Sequence, residues 1–232
     1  MRTIEQISKI SKTIEDPVSV RNFLDINQLT QLIEIFNNQR HRYVHKNTGP
    51  ITLDLNFYRH EPVVIEIFEK LEQFLGNYEI TAAFFFRTDY PHIIHNDDTF
   101  ELPDSVYKAV TLPLFLENFS GTYPKLCFFD QFYFHGPAKF FKGSKNIPTY
   151  YNQQIYEYDN VTGLTDNILI DKENYFTHLN PQWLEGLSLN SVQDWIPGNA
   201  IIFDSVRLHC ASDFRNLKIK SKLGISIFTK KI

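Results

Sequence analysis

The chain has few cysteines: two in 232 residues, Cys127 and Cys210. They follow no metal-ligand spacing and are too few for a disulfide framework. Neither sign of charge dominates, since 23 Lys and Arg against 27 Asp and Glu leave a formal net charge of −4. That excludes the broad basic footprint of a protein that grips nucleic acid or an anionic membrane. Long apolar runs are missing too; the stretches at 80–86 and 112–116 are far too short to span a bilayer. The opening MRTIEQISKISKTIEDP alternates charged with aliphatic residues and lacks the apolar centre of a secretory signal. These absences lead us to expect a soluble cytoplasmic chain, monomeric or homodimeric, with no nucleic-acid or membrane partner.

Aromatic residues are abundant instead, at 15% of positions with 21 Phe and 12 Tyr, in a sequence 43% hydrophobic and 22% charged. Flat bulky side chains suit a pleated, half-buried surface, and the hydrophobic share sustains a sizeable core. The length fits one β-rich domain better than two. Helical spacing is confined to the first third. Leu29, Leu32, Ile33 and Phe36 recur at helical intervals over 27–39, and the pattern repeats over 61–75, with Pro62 near the first turn and Gly76 just beyond the end. Between them ITLDLNFY (51–58) alternates as an early strand.

From residue 78 the texture turns to short runs rich in Val, Ile, Phe and Thr, separated by Pro, Gly, Asn and Asp. These predict strands at 79–87, 93–97, 106–117, 125–134, 200–204, 207–210 and 218–229, interrupted by a short helix at 181–187. The expected fold is mainly β with flanking helices: one domain in which residues 1–77 support an antiparallel core at 78–232. A jelly roll is one closed form of such a core. Segment 135–180 is too long for an idle connection and is expected to be an insert acting as a lid or substrate contact.

Residues 92–98 read HIIHNDD. On a strand, His95 and Asp97 share one face, roughly 6.6 Å apart along the backbone, so both can converge on one ion. His92 lies three residues before His95, and a regular strand would turn it to the other face. That disfavours a His92–His95 pair. Alone, the motif is weak: chance supplies about half an HxD in a chain of this composition, and a solvated turn capped by Asn96, Asp97 and Asp98 is an equal reading.

The C-terminal third adds weight. Residues 195–229 read WIPGNAIIFDSVRLHCASDFRNLKIKSKLGISIFT: a Pro-Gly turn, an apolar strand, a His in a short strand, a polar loop, and a basic strand ending in small and apolar residues. This segment resembles the distal half of the iron(II)/2-oxoglutarate oxygenase superfamily, including its phytanoyl-CoA hydroxylase and prolyl hydroxylase branches. The resemblance covers roughly 79–229. It implies a double-stranded β-helix (a jelly roll, cupin-like), Fe(II) as the metal, and 2-oxoglutarate and O2 as co-substrates. It makes His95 and Asp97 the proximal metal pair and His209 the distal ligand. It also implies a basic residue beyond that His for the distal carboxylate of 2-oxoglutarate, which falls on Lys222 or Lys220. Relatives usually carry Arg there, often with Ser two residues on; here Gly224 follows Lys222. Halogenases of the superfamily replace the carboxylate ligand with Gly or Ala, so Asp97 implies hydroxylation or a related oxidation.

Lys222 is preferred over Lys220 because it abuts GISIF, although a strand edge protected by lysines is the plain reading of both. Thr111 could hydrogen-bond 2-oxoglutarate or simply pack. Arg207, two before His209, and Arg87, after AAFFF, are substrate-binding candidates, since an interior Arg needs an anionic partner; for Arg207 an ion pair with Asp204 or Asp213 is as good. FFDQFYF (128–134) reads as core whose alternate members could wall a pocket. The expected activity is hydroxylation of a small molecule with release of succinate and carbon dioxide, and the interior arginines lean towards an acidic or zwitterionic substrate. The alternatives are a cupin-like metal protein without 2-oxoglutarate chemistry and a prolyl-type hydroxylase acting on protein.

Overall fold

Two helices with one strongly apolar face each need a surface to bury it against, and a sheet provides one. The computed structural model describes residues 2–39, 42–44, 50–98, 107–136, 138–140, 154–156, 161–163 and 175–232. Helix α1 (Ile4–Ser11) starts at a capping box between Thr3 and Gln6. Helix α2 (Ile26–Asn38) starts at a second one, between Asp25 and Gln28. In each, the side chains satisfy backbone N–H groups that the first helical turn leaves unpaired. Helix α3 (Pro62–Leu75) has Pro62 in its first turn and ends at Gly76, whose φ of 66° suits glycine. The two periodic segments of the sequence are thus α2 and α3; α1 has no counterpart among the expected elements.

Among the described residues, twelve strands form two six-stranded sheets. The strands are β1 (Val18–Val20), β2 (Ile51–Asp54), β3 (Tyr78–Thr88), β4 (His95–Asn96), β5 (Lys108–Glu117), β6 (Lys125–Phe132), β7 (Ala138–Phe140), β8 (Gln154–Tyr156), β9 (Leu189–Asp194), β10 (Ala200–Asp204), β11 (Arg207–Ala211) and β12 (Ser221–Lys231). One sheet has the order β1-β10-β5-β12-β3-β2 and the other β8-β7-β4-β11-β6-β9. All pairings are antiparallel except β7 with β8.

Side-chain alternation sorts three layers of core. Leu223, Ile225 and Ile227 of β12, with Phe85 and Leu112, pack under Leu32 and Phe36 of α2 and Val64, Ile67 and Leu71 of α3. Between the sheets lie Phe128, Phe203, Phe214 and Trp195. Behind the second sheet, Cys127, Phe129, Leu208 and Cys210 pack with Phe176, Leu179 and Leu184. Cys127 and Cys210 face each other across the β6–β11 ladder as free, buried thiols.

Several elements depart from their expected boundaries. The strand at 51–58 stops at Asp54, whose carboxylate accepts the Asn56 N–H at 2.8 Å and starts a 3₁₀ turn, Leu55–Tyr58. The helix at 181–187 is a 3₁₀ turn, Pro181–Leu184. The strand at 218–229 begins only at Ser221, because Lys218 takes a left-handed φ of 61° after the turn Phe214–Leu217. The strand at 93–97 shrinks to His95–Asn96. Most of the expected insert at 135–180 lies outside the described residues. No helix among the described residues is long and apolar enough to cross a membrane.

Candidate metal centre

Strand β10 ends at Asp204, a turn at 205–206 reverses the chain, and β11 carries His209 into the second sheet directly opposite His95 of β4. Their rings lie 4.2 Å apart, centroid to centroid. Asp97 follows β4, its N–H donating to the Ser205 carbonyl at 2.8 Å. Its carboxylate comes within 3.7 Å of His95 Nε2 and 3.4 Å of His209 Nε2. One ligand atom from each of the three side chains fits within a 4.8 Å span.

Each histidine is oriented by its own backbone. His95 Nδ1 lies 2.7 Å from the Ile93 carbonyl and His209 Nδ1 3.0 Å from the Arg207 carbonyl. A carbonyl only accepts, so Nδ1 carries the proton and Nε2 keeps the lone pair a metal needs. Burial, followed by the neighbouring His209 and His92, drives the His95 imidazole well below its usual range and so keeps it neutral. Burial pushes the Asp97 carboxyl upward, but His209 and His95 outweigh this and hold it below the ordinary carboxylate value. Two imidazoles and one carboxylate on a shared face are the donor set of non-haem iron(II) oxygenases, so the residues present fit an iron ion.

The alternate residues, Asn96 and Asp98, point the other way and are pinned. Asn96 donates to the carbonyls of Tyr133 and Gly136 at 3.1 and 3.0 Å and accepts the Ala138 N–H at 2.8 Å. Asp98 accepts the Gly136 N–H at 3.0 Å and pairs with Arg2. Asn96 and Asp98 thus anchor the loop that presents His95 and Asp97.

The triad faces a cavity of about 120 Å³ between the sheets. Lys222, Ser226 and Thr111 line it, the last two as register partners on β12 and β5. Lys222 is 5% exposed. Its ammonium sits 4.9 Å from the Trp195 ring centroid and 5.2 Å from that of Phe214, and among the described residues it makes no hydrogen bond or ion pair. Burial brings its pKa down to about 8. Gly224 is explained here: a Cβ at that position would come within 3.0 Å of the Leu112 carbonyl oxygen, a Phe86 carbon and a Trp195 carbon. The indole that stacks under Lys222 occupies the space a serine would use.

Three candidates lie elsewhere. Lys220 precedes β12 and forms a surface pair with Glu117 at 2.9 Å; it does not share the face of Lys222. Arg87 points away from the cavity, its β3 neighbours Phe86 and Thr88 pointing in, and binds the same Glu117 at 2.7 Å and Ser221 at 3.2 Å. Arg207 is buried but does not line the cavity, and the β6–β11 ladder shifts register between it and His209. Its guanidinium instead donates to the carbonyls of Phe129 at 3.0 Å and Glu15 at 3.2 Å.

Strand alternation sets His92 aside, yet residues 92–94 are not strand. Its ring lines the cavity, edge-on to His95 at 4.5 Å, outside the three-ligand group. Burial first, then the charge of Lys139, lowers it to about 3. The proline before it is the available signal, since Pro91 argues against a continuous ladder.

No family model matches the chain, and no curated protein sequence matches it. Solved structures do. The epimerase SnoN, in complex with Fe3+, alpha-ketoglutarate and nogalamycin RO, superposes with a TM-score of 0.55 at 12% identity over 98% of this chain and 83% of SnoN. The alpha-ketoglutarate-dependent carbocyclase SnoK from nogalamycin biosynthesis gives 0.51 at 10% identity, covering 99% and 84%. EvdO2 from Micromonospora carbonacea var. aurantiaca, complexed with 2-oxoglutarate, gives 0.50 at 9%, covering 99% and 92%. The chain has the double-stranded β-helix fold of the non-haem iron, 2-oxoglutarate-dependent oxygenases.

Proposed function

We propose that this protein is an Fe(II)- and 2-oxoglutarate-dependent dioxygenase that hydroxylates an uncharged small molecule. The observation that carries this reading is Lys222: a buried ammonium facing the triad's cavity with no anion beside it among the described residues. A buried charge without a partner is expensive, and a dicarboxylate co-substrate would satisfy it. His95 and His209 would hold iron through Nε2 and Asp97 through its carboxylate, while Lys222 would take the distal carboxylate, with Thr111 and Ser226 within the same wall. When bound, iron with 2-oxoglutarate and O2 supplies an oxidative decarboxylation to succinate and carbon dioxide, and the oxidising power for a C–H bond. The protein orients these groups and excludes water with Trp195, Phe86 and Leu126.

The substrate class follows from what the cavity wall lacks. Lys222 is the only Lys or Arg among the described lining residues, and committing it to 2-oxoglutarate leaves no cation among them for an acidic substrate. Phe84, Phe86 and Phe228 offer ring surface, and His92 and Thr88 offer polar atoms. An apolar or aromatic body with a hydrogen-bonding group suits this wall better than the acidic or zwitterionic metabolite expected from Arg207 and Arg87. Succinate formation from 2-oxoglutarate, Fe(II) and O2 tests the activity: wild type should produce it, and Asp97→Ala should not. A cupin-like metal protein would bind the metal and form no succinate.

A further inference from the structure

Residues 2–20 stay out of the cavity, yet they touch both stretches of chain that carry the triad. We propose that this N-terminal segment is a brace for the metal centre, with Arg2 as a positioning residue acting through Asp98. The proposal rests on the reading that His95, Asp97 and His209 hold a metal.

The first contact is beside the HxD pair. Arg2 donates from Nη2 to Asp98 Oδ1 at 2.9 Å, pairs with Oδ2 through Nη1, and donates from Nη1 to the Phe134 carbonyl at 2.6 Å. Its side chain is 5% exposed and that of Asp98 0%. A two-pronged guanidinium–carboxylate contact in a dry setting fixes orientation as well as position. Asp98 is the residue after Asp97, so the pair sets where the ligand carboxylate points. The capping box at Thr3 fixes Arg2 in turn, because it starts α1 at the adjacent residue.

The second contact lies beside the distal ligand. Ile10 of α1 packs with Phe134 and Val206. Past it, the Glu15 N–H donates to Asp204 at 2.8 Å, and the Glu15 carbonyl accepts from Arg207 at 3.2 Å. The carbonyl of Arg207 is the group that orients His209. Asp16 also lies 3.5 Å from Arg207, but its side chain is 82% exposed and adds little. Strand β1 then joins the edge of β10 and holds the segment down. Of these links, the buried Arg2–Asp98 pair has the strongest hold on a ligand.

Cobalt(II) tests this without turnover, since its visible spectrum reports coordination geometry. Arg2→Gln should weaken cobalt(II) binding up to about tenfold, the low end of the effect of losing a group bonded to a ligand itself, and alter the spectrum. Arg2→Lys should recover part of both. Wild-type affinity and spectrum in Arg2→Gln, even with a lower melting temperature, overturns the brace and leaves the metal site standing. A wild-type protein that binds no cobalt(II) overturns both. Should Arg2→Gln not fold, Arg2→Lys decides alone: wild-type binding in it overturns the proposal, and weakened binding supports it.

Discussion

His95 and His209 are direct partners across the β4–β11 ladder, and each has its Nδ1 turned to the carbonyl two residues before it. The same local device on two strands from distant parts of the chain aims both Nε2 atoms at Asp97. The metal reading begins there.

Metal binding should be visible as stability. A divalent ion at a hundredfold excess over its Kd adds about 2.7 kcal/mol to the folded state. Anaerobic thermal unfolding with Fe(II) or Mn(II) should show a rise in Tm for the wild type and none for His95→Ala or Asp97→Ala. An equal rise in the variants would move the metal elsewhere.

Lys222 should destabilise the protein that it equips. Its folded pKa of about 8 lies below the usual lysine value. Between about pH 8 and pH 10.4 the unfolded chain therefore binds more protons than the folded one, and stability rises as pH rises through that window. Lys222→Met should flatten that rise and add about 1–3 kcal/mol at pH 7, while weakening 2-oxoglutarate binding. Urea denaturation at pH 7 and pH 9.5 checks both signs. A less stable variant would mean Lys222 is a structural cation.

Gly224 should not tolerate the serine that relatives often carry. A side-chain carbon at this position would meet three heavy atoms at 3.0 Å, so Gly224→Ser should lose about 1–3 kcal/mol. Because Trp195 must move, the variant should also bind 2-oxoglutarate less tightly. Retained stability and binding together would show that the indole has room to shift.

His92 should affect turnover without holding the metal. His92→Ala should keep one iron per chain by metal analysis and lower the yield of hydroxylated product per succinate, as expected of a group that positions substrate. Loss of iron from this variant would make His92 a ligand.

Helices α2 and α3 and most strands were legible because periodicity is a local property: Leu29, Leu32, Ile33 and Phe36 face one way on α2 whatever they pack on. The His95–Asp97 spacing was legible too, though for a partly mistaken reason. The pair converges because Asn96 and Asp98 are pinned behind it, not because a long strand runs through 93–97. Arg207 misled because its guanidinium is taken up by the carbonyls of Phe129 and Glu15, contacts with distant stretches of chain that nothing in RLH announces. Lys220 misled because the left-handed Lys218 delays β12. Arg87 could have been placed from its neighbours, since inward Phe86 puts it outward. The Arg2–Asp98 contact spans 96 positions, and local pattern does not reach that far.

The central claim is that one iron and one 2-oxoglutarate bind together between the two sheets. Anaerobic titration of the protein with Fe(II) and 2-oxoglutarate, followed by visible absorption, tests it most directly. The account predicts a weak charge-transfer band in the wild type, its loss in His209→Ala, and its appearance only at higher 2-oxoglutarate in Lys222→Ala. No band in the wild type, or an undiminished band in His209→Ala, would contradict it.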